Sequence, residues 1–147
     1  MPTRLMDRQN QLVSEFSQLR SWEDRYKKLI AIGKELPPMD ESKKSEDVKV
    51  KGCQSQVWLV ATVDSEKRVH FEADSDAMIV RGLVALLLRI YSNAMADEIL
   101  STPPEFVKKI GFETNLSPSR ANGLYSLIKQ IMRYATAFKI LAEPSRP

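Results

Sequence analysis

The sequence predicts an α+β fold. One domain, residues 1–147, carries a three-stranded antiparallel sheet packed on helices, in the order two helices, three strands, four helices. Three observations predict it. Apolar residues recur at helical spacing over the first 36 positions and again from residue 77 onward. Between residues 48 and 73 the period drops to two. Strand and helix patterns are therefore segregated along the chain, which argues against an alternating parallel sheet. The 147 residues are 43% hydrophobic and 28% charged, enough to bury one core without disulfides or metal.

Each element has its own signal. Leu12, Phe16 and Leu19, with Leu5 and Val13, mark an amphipathic helix over residues 5–19. Ser21 is placed to cap a second helix, with Asp24 three residues later. Trp22, Tyr26, Leu29, Ile30 and Gly33 line that helix, and Pro37-Pro38 ends it. Residues 40–47 are polar and charged, which predicts a solvated loop. Val48 and Val50 alternate with Lys49 and Lys51, a short strand with one wet face. Gly52-Cys53-Gln54-Ser55 interrupts it, and residues 56–63 form the central strand. After a turn at 64–67, residues 68–73 alternate again. Val69 and Phe71 share one face; Arg68, His70 and Glu72 share the other.

Asp74-Ser75-Asp76 can cap a helix over 77–92. Its middle is apolar nearly all round, so it is expected to be the buried central helix. A short helix covers 95–100. Thr102-Pro103-Pro104-Glu105 reads as a capping box opening another, which Gly111 ends. Ser117-Pro118-Ser119-Arg120 opens the last helix, whose apolar stripe runs from Ala121 to Phe138. Residues 139–147 read as a tail.

Composition excludes several functions. Lys and Arg number 22 against 19 Asp and Glu, a net charge of +3, and the two signs are mixed along the chain. No basic run suggests nucleic acid as a partner. No stretch approaches the roughly 20 apolar residues of a membrane helix. The N-terminal residues Met1-Pro2-Thr3-Arg4-Leu5-Met6-Asp7-Arg8 lack an apolar signal region, which predicts a cytoplasmic protein. With one cysteine, Cys53, and one histidine, His70, the chain offers no internal disulfide, no four-ligand zinc site and no cluster of its own.

Chemistry therefore rests on one thiol. A free cysteine is often only a small buried hydrophobe. Here Gly52 frees the backbone beside it, Lys51 is a nearby cation that can favour thiolate, and Gln54, Ser55 and Gln56 add polar groups. A self-contained thiol-dependent enzyme would pair Cys53 with His70, the only imidazole. Yet His70 falls on the solvated Arg68/Glu72 face. Arg120, in a helix first turn, opposes the helix dipole. It is either a surface residue or an anion or partner contact. Asp74 and Asp76 are most simply helix caps.

Four motifs carry a family resemblance. They are Trp22-Glu23-Asp24-Arg25-Tyr26; Gly52-Cys53-Gln54-Ser55-Gln56-Val57-Trp58; Asp74-Ser75-Asp76-Ala77 with Val80-Arg81-Gly82-Leu83; and Leu116-Ser117-Pro118-Ser119-Arg120 with Gly123-Leu124. Together, over about the whole chain, they resemble the SufE/CsdE family, sulfur acceptors of cysteine desulfurases in iron–sulfur cluster assembly. The resemblance implies a small sheet on helices, similar to the IscU-type scaffold. It also implies a persulfide relay. A pyridoxal-phosphate cysteine desulfurase, SufS/CsdA-like, would pass sulfur to Cys53 and be stimulated by losing it. The sulfur would go on to a SufBCD-like scaffold complex. The carrier itself needs no cofactor and no metal; the pyridoxal phosphate is the partner's. Lys51, Gly52, Gln54 and Ser55 would support the thiol, with Gly52 as the hinge. Asp76 and Arg120 would touch the partner. A monomer or weak dimer is expected.

Overall fold

In the computed structural model, residues 4–142 are described. Helices α1 (Arg4–Ser17) and α2 (Trp22–Glu35) form where the spacing places them. The Ser21 hydroxyl accepts the Asp24 N–H at 3.1 Å, the expected cap. Leu5, Leu12 and Phe16 on α1 and Leu29 on α2 are completely buried. Each such side chain contributes roughly 1.5–3 kcal/mol of hydrophobic stabilisation.

The sheet is three-stranded and antiparallel, in the order β1-β2-β3. Strands β1 (Val57–Val63) and β2 (Arg68–Ser75) form a hairpin, with Val57 opposite Ser75 and Val63 opposite Val69. The third strand is not the expected one. Residues 48–51 do not form a strand: Glu46–Val48 is a 3₁₀ turn, and only a single bridge joins Lys49 to Trp58. Val50 N–H donates to Val57 O at 2.8 Å, after which Gly52 turns the chain away with φ +90°. The ladder has no room to extend. Instead β3 (Ala94–Met95), two residues long, pairs with Arg68 and Val69 of β2 after the central helix. The order is therefore two helices, two strands, a helix, the short strand, then the remaining helices.

Helix α3 (Met78–Tyr91) is the buried centre, with Gly82 through Leu87 all buried. It crosses α2 backbone to backbone. A Cβ on Gly82 would stand 2.3 Å from Leu29 O, and one on Gly33 would stand 2.8 Å from Gly82 N. Only glycine permits this approach.

The residues expected to cap α3 do other work. Its N-cap is Ala77, whose N–H is taken by Ser75 Oγ at 3.2 Å. Asp74 is buried at the end of β2. It accepts the N–H groups of Met39 at 3.1 Å and Ser75 at 2.8 Å. It also pairs with Lys44 at 3.3 Å and Arg81 at 3.1 Å. Arg81 in turn donates to Gly33 O at 2.9 Å and to Leu36 O. Asp76 accepts the Gln56 N–H at 3.0 Å and donates its own N–H to Gln56 O at 3.2 Å. β-Strand geometry continues through the acidic motif because these partners lie on the strand side.

Helices α4 (Ala96–Leu100), α5 (Phe106–Ile110) and α6 (Phe112–Asn115) follow. The capping box predicted at Thr102 does not form. Thr102 Oγ1 donates back to Glu98 O at 2.7 Å, and the Glu105 N–H that a capping box would use donates to Pro103 O at 2.9 Å. Gln9 on α1 replaces it, accepting the Phe106 N–H at 3.0 Å and donating to Pro103 O at 2.9 Å. Trp22 stacks edge-on against Phe112, while Arg25 lies over the indole at 5.0 Å and donates to Ile110 O at 2.7 Å. The Trp22–Tyr26 motif thus clasps α5 and α6. Helix α7 (Pro118–Ala142) closes the fold. It continues past residue 139, so the expected tail is helical to Ala142; residues 143–147 lie outside the described residues. No helix among the described residues is long and apolar enough to cross a membrane.

Burial alone would raise the Asp74 carboxyl, but its amide donors and the Lys44 and Arg81 cations outweigh that and hold it below the ordinary carboxylate value. Asp74→Ala leaves Arg81 without a carboxylate and Lys44 with the exposed Glu41 alone, and urea unfolding is expected to show a loss of about 3 kcal/mol. A loss under about 1 kcal/mol would mean that both cations re-solvate freely. The depressed carboxyl contributes stability above about pH 4, and that contribution disappears as pH falls through the folded value. The gap between wild type and variant therefore narrows in acid.

Candidate functional site

Cys53 stands on the loop between the Val50–Val57 hydrogen bond and the start of β1. The loop is pinned on one side by that bond and on the other by the Gln56–Asp76 pair. Gly52 makes the turn possible. Its φ of +90° suits glycine, and a Cβ there would meet Ser126 Oγ at 2.6 Å. The turn aims Cys53 at α7. Its thiol donates to Gly123 O at 3.6 Å, and the missing side chain of Gly123 is the space the sulfur occupies: a Cβ there would lie 3.4 Å from Sγ. Glycine inside a helix costs roughly 1 kcal/mol against alanine; here it admits a thiol.

The sulfur is half-buried and faces a cavity of about 310 Å³. Cys53, Gln54 and Ser55 form one wall; Val80 of α3 and the first turns of α7, with Ser117, Ser119, Arg120 and Gly123, form the rest. The Ser117 hydroxyl accepts the Arg120 N–H at 3.3 Å and so caps α7. The Arg120 guanidinium has no hydrogen-bond or ion-pair partner among the described residues. It supplies a free cation at the mouth of the thiol cavity.

Burial pushes the Cys53 thiol above its ordinary pKa. This reverses the expectation that Lys51 favours the thiolate. Lys51 is exposed and lines a different cleft, beside Gly52, so its charge does not offset the desolvation of the sulfur. In the resting fold the thiol is overwhelmingly protonated at neutral pH.

The structure thus gathers Cys53, Gln54, Ser55 and Arg120 and leaves Lys51 and Asp76 outside the cavity. Gly52 shapes the loop without lining the cavity, and Asp76 supports the loop root through Gln56. Val80, Ser117, Ser119 and Gly123 join the wall. Gly123 was visible in the sequence only as part of the Gly123-Leu124 motif that carries the family resemblance. His70 sits opposite Thr62, five residues up the ladder from Val57, which is roughly 17 Å of strand. Its Nε2 lies 2.7 Å from Asp64 Oδ2. A Cys–His pair does not form.

Residues 10–135 match the family described as "SufE: Fe-S metabolism associated domain". An uncharacterized SufE-like protein of Rhizobium etli is 45% identical over 130 residues, covering 86% of this chain and 88% of that protein. The SufE-like protein 1, chloroplastic/mitochondrial, of Arabidopsis thaliana is 37% identical over 143 residues, covering 97% of this chain and 38% of that protein. The solution structure of a hypothetical protein from Thermus thermophilus superposes with a TM-score of 0.75 at 21% identity, over 90% of this chain and 96% of that one. That last likeness concerns the fold alone.

The raised thiol has a direct readout. Alkylation of the free protein by iodoacetamide is expected to be slow at neutral pH and to climb about tenfold per pH unit, with its half-maximum at higher pH than for a free cysteine measured alongside. A half-maximum at or below that of the free cysteine would contradict a desolvated resting thiol.

Proposed function

The chain belongs to the SufE family, a family of iron–sulfur metabolism, and from that premise we propose that Cys53 is a persulfide carrier. It takes sulfur from a pyridoxal-phosphate cysteine desulfurase in the cytoplasm and delivers it to an iron–sulfur cluster assembly scaffold. One observation carries the reading: the chain's single thiol stands on a glycine-hinged loop, half-buried against Gly123, beside a cavity with a free arginine.

The transfer is a thiol exchange. The Cys53 thiolate attacks the outer sulfur of a persulfide on the donor's cysteine. A sulfur–sulfur bond forms on Cys53 and the donor's breaks. The donor leaves as a thiolate and takes up a proton, balancing the one Cys53 gave. One persulfide and one thiol become one thiol and one persulfide, with no net oxidation. Removing the sulfur frees the donor cysteine for another turnover, which accounts for stimulation of the desulfurase.

The resting geometry suits storage more than attack. A protonated, half-buried thiol reacts slowly with stray oxidants and electrophiles. Movement of the loop away from Gly123 removes the desolvation and returns the thiol toward its ordinary pKa, so exposure and activation come together. Gln54 and Ser55 travel with the loop. Arg120 is fixed on α7 and can stabilise the anionic sulfur that forms during exchange.

Replacing Cys53 by serine is expected to abolish sulfur acceptance, read by intact mass after incubation with a desulfurase and L-cysteine, while circular dichroism stays native. A serine variant that still gains a sulfur atom would sink the relay. His70→Ala is expected to transfer sulfur at close to the wild-type rate. A folded His70→Ala protein with a large loss of rate would revive the self-contained thiol enzyme.

A further inference from the structure

A second cleft, of about 530 Å³, opens between the Cys53 loop and α7. Gly52 lies on its wall, one residue from the thiol. Lys49, Lys51, Lys129 and Arg133 surround it, against Asp47 on the wall and Glu46 at the edge. Lys51, Lys129 and Arg133 are exposed and have no hydrogen-bond or ion-pair partner among the described residues. Lys49 reaches only Glu46, at 3.6 Å, whose carboxylate is 89% exposed.

This is unlike much of the surface. Lys27, Lys28, Lys43, Lys44, Lys109, Arg4 and Arg89 each meet a carboxylate. Lys129 and Arg133 are moreover i,i+4 neighbours on α7, an arrangement of like charges that disfavours the helix. The fold gathers cations from two segments about 80 positions apart and leaves three of them, Lys51, Lys129 and Arg133, without an ion-pair partner among the described residues beside the Cys53 loop.

We infer that this cleft is a docking site for an acidic polypeptide segment of the protein that exchanges sulfur with Cys53. The inference rests on the relay reading above and adds to it where the partner is held. The cleft is confined, and Asp47 and Glu46 interrupt its positive field, which opposes the continuous phosphate track of a nucleic acid. Carboxylates spaced along a peptide can meet Lys51, Lys129 and Arg133 and leave the two acids to solvent. An occupant there touches Gly52 directly and presents the partner to the residue next to it. Such exposed charges act mainly on association rate and salt dependence.

The test uses the full chain and the cysteine desulfurase of the same cell, with Lys129→Glu/Arg133→Glu and the milder Lys129→Gln/Arg133→Gln. At about 50 mM NaCl the charge-reversed protein is expected to bind about tenfold more weakly, the glutamine protein less so, and the difference is expected to shrink near 500 mM. The melting temperature does not fall in either variant, and the Cys53 alkylation rate stays at wild type. Unchanged affinity at low salt, with Cys53 still loaded with sulfur, overturns the docking cleft and leaves the relay standing. A wild-type chain that neither binds the desulfurase nor gains sulfur overturns the relay, and the assignment of the cleft with it. Charge-dependent binding of a short duplex DNA or of inorganic phosphate, without any effect on the desulfurase, overturns the acidic-polypeptide assignment.

Discussion

A buried carboxylate organises the end of this molecule that carries the thiol. Asp74, 3% exposed, would cost several kcal/mol without partners. The chain supplies them from separate segments: the Met39 amide and Lys44 from the long loop, the Ser75 amide from β2, and the Arg81 guanidinium from α3. Arg81 also donates to the Gly33 carbonyl, which accepts the Leu36 N–H as well, and to the Leu36 carbonyl at the end of α2. One charge network therefore locks α2, the loop, β2 and α3 in a single geometry. Lys44 extends it over the Trp58 ring at 4.9 Å.

The thiol loop takes its position from that network. Asp76, two residues along, holds both backbone groups of Gln56, and Val50 holds Val57. Between those pins the loop is held by Gly52's turn against Ser126, by the bond of Cys53 to Gly123 and by the packing of Cys53 against the core. The surrounding parts are rigid: α3 and α2 touch through backbone at Gly82 and Gly33, and α7 packs Leu124, Leu127, Ile128 and Ile131 into the core. A weakly held loop on a rigid frame can change place without disturbing the core. Its two surroundings then have distinct roles. The cavity shelters the sulfur, and the basic cleft beside Gly52 faces outward.

Much of this was legible from residues alone. The helical stripes at Leu12/Phe16/Leu19 and Leu124/Ile128/Ile131, the Ser21 cap and the all-apolar centre of α3 each depend on neighbours a few positions away. So does the hairpin of residues 57–75. The site's reactive atom was legible for a simpler reason: the chain has one cysteine. What misled was local pattern without its partners. Val48-Lys49-Val50-Lys51 alternates like a strand, but the turn at Gly52 ends its pairing after one bridge, and the sheet takes Ala94–Met95 instead. Asp74 and Thr102 look like helix caps, yet Asp74 turns to Met39, Lys44 and Arg81, and the Thr102 hydroxyl turns back to the Glu98 carbonyl.

The sequence by itself determined the α+β class, the core faces, the single reactive thiol and the absence of a second cysteine to pair with it, because these follow from composition and short-range periodicity. The tertiary structure decided the identity of the third strand, the protonated and sheltered state of Cys53, the exclusion of His70, and the division of Lys51 and Arg120 between two clefts. Each of those depends on which distant groups become neighbours. The carbonyl that accepts the thiol's hydrogen bond belongs to Gly123, 70 residues away. Charge that is evenly mixed along the chain becomes a basic cleft only when residues 49–51 and 129–133 are folded side by side.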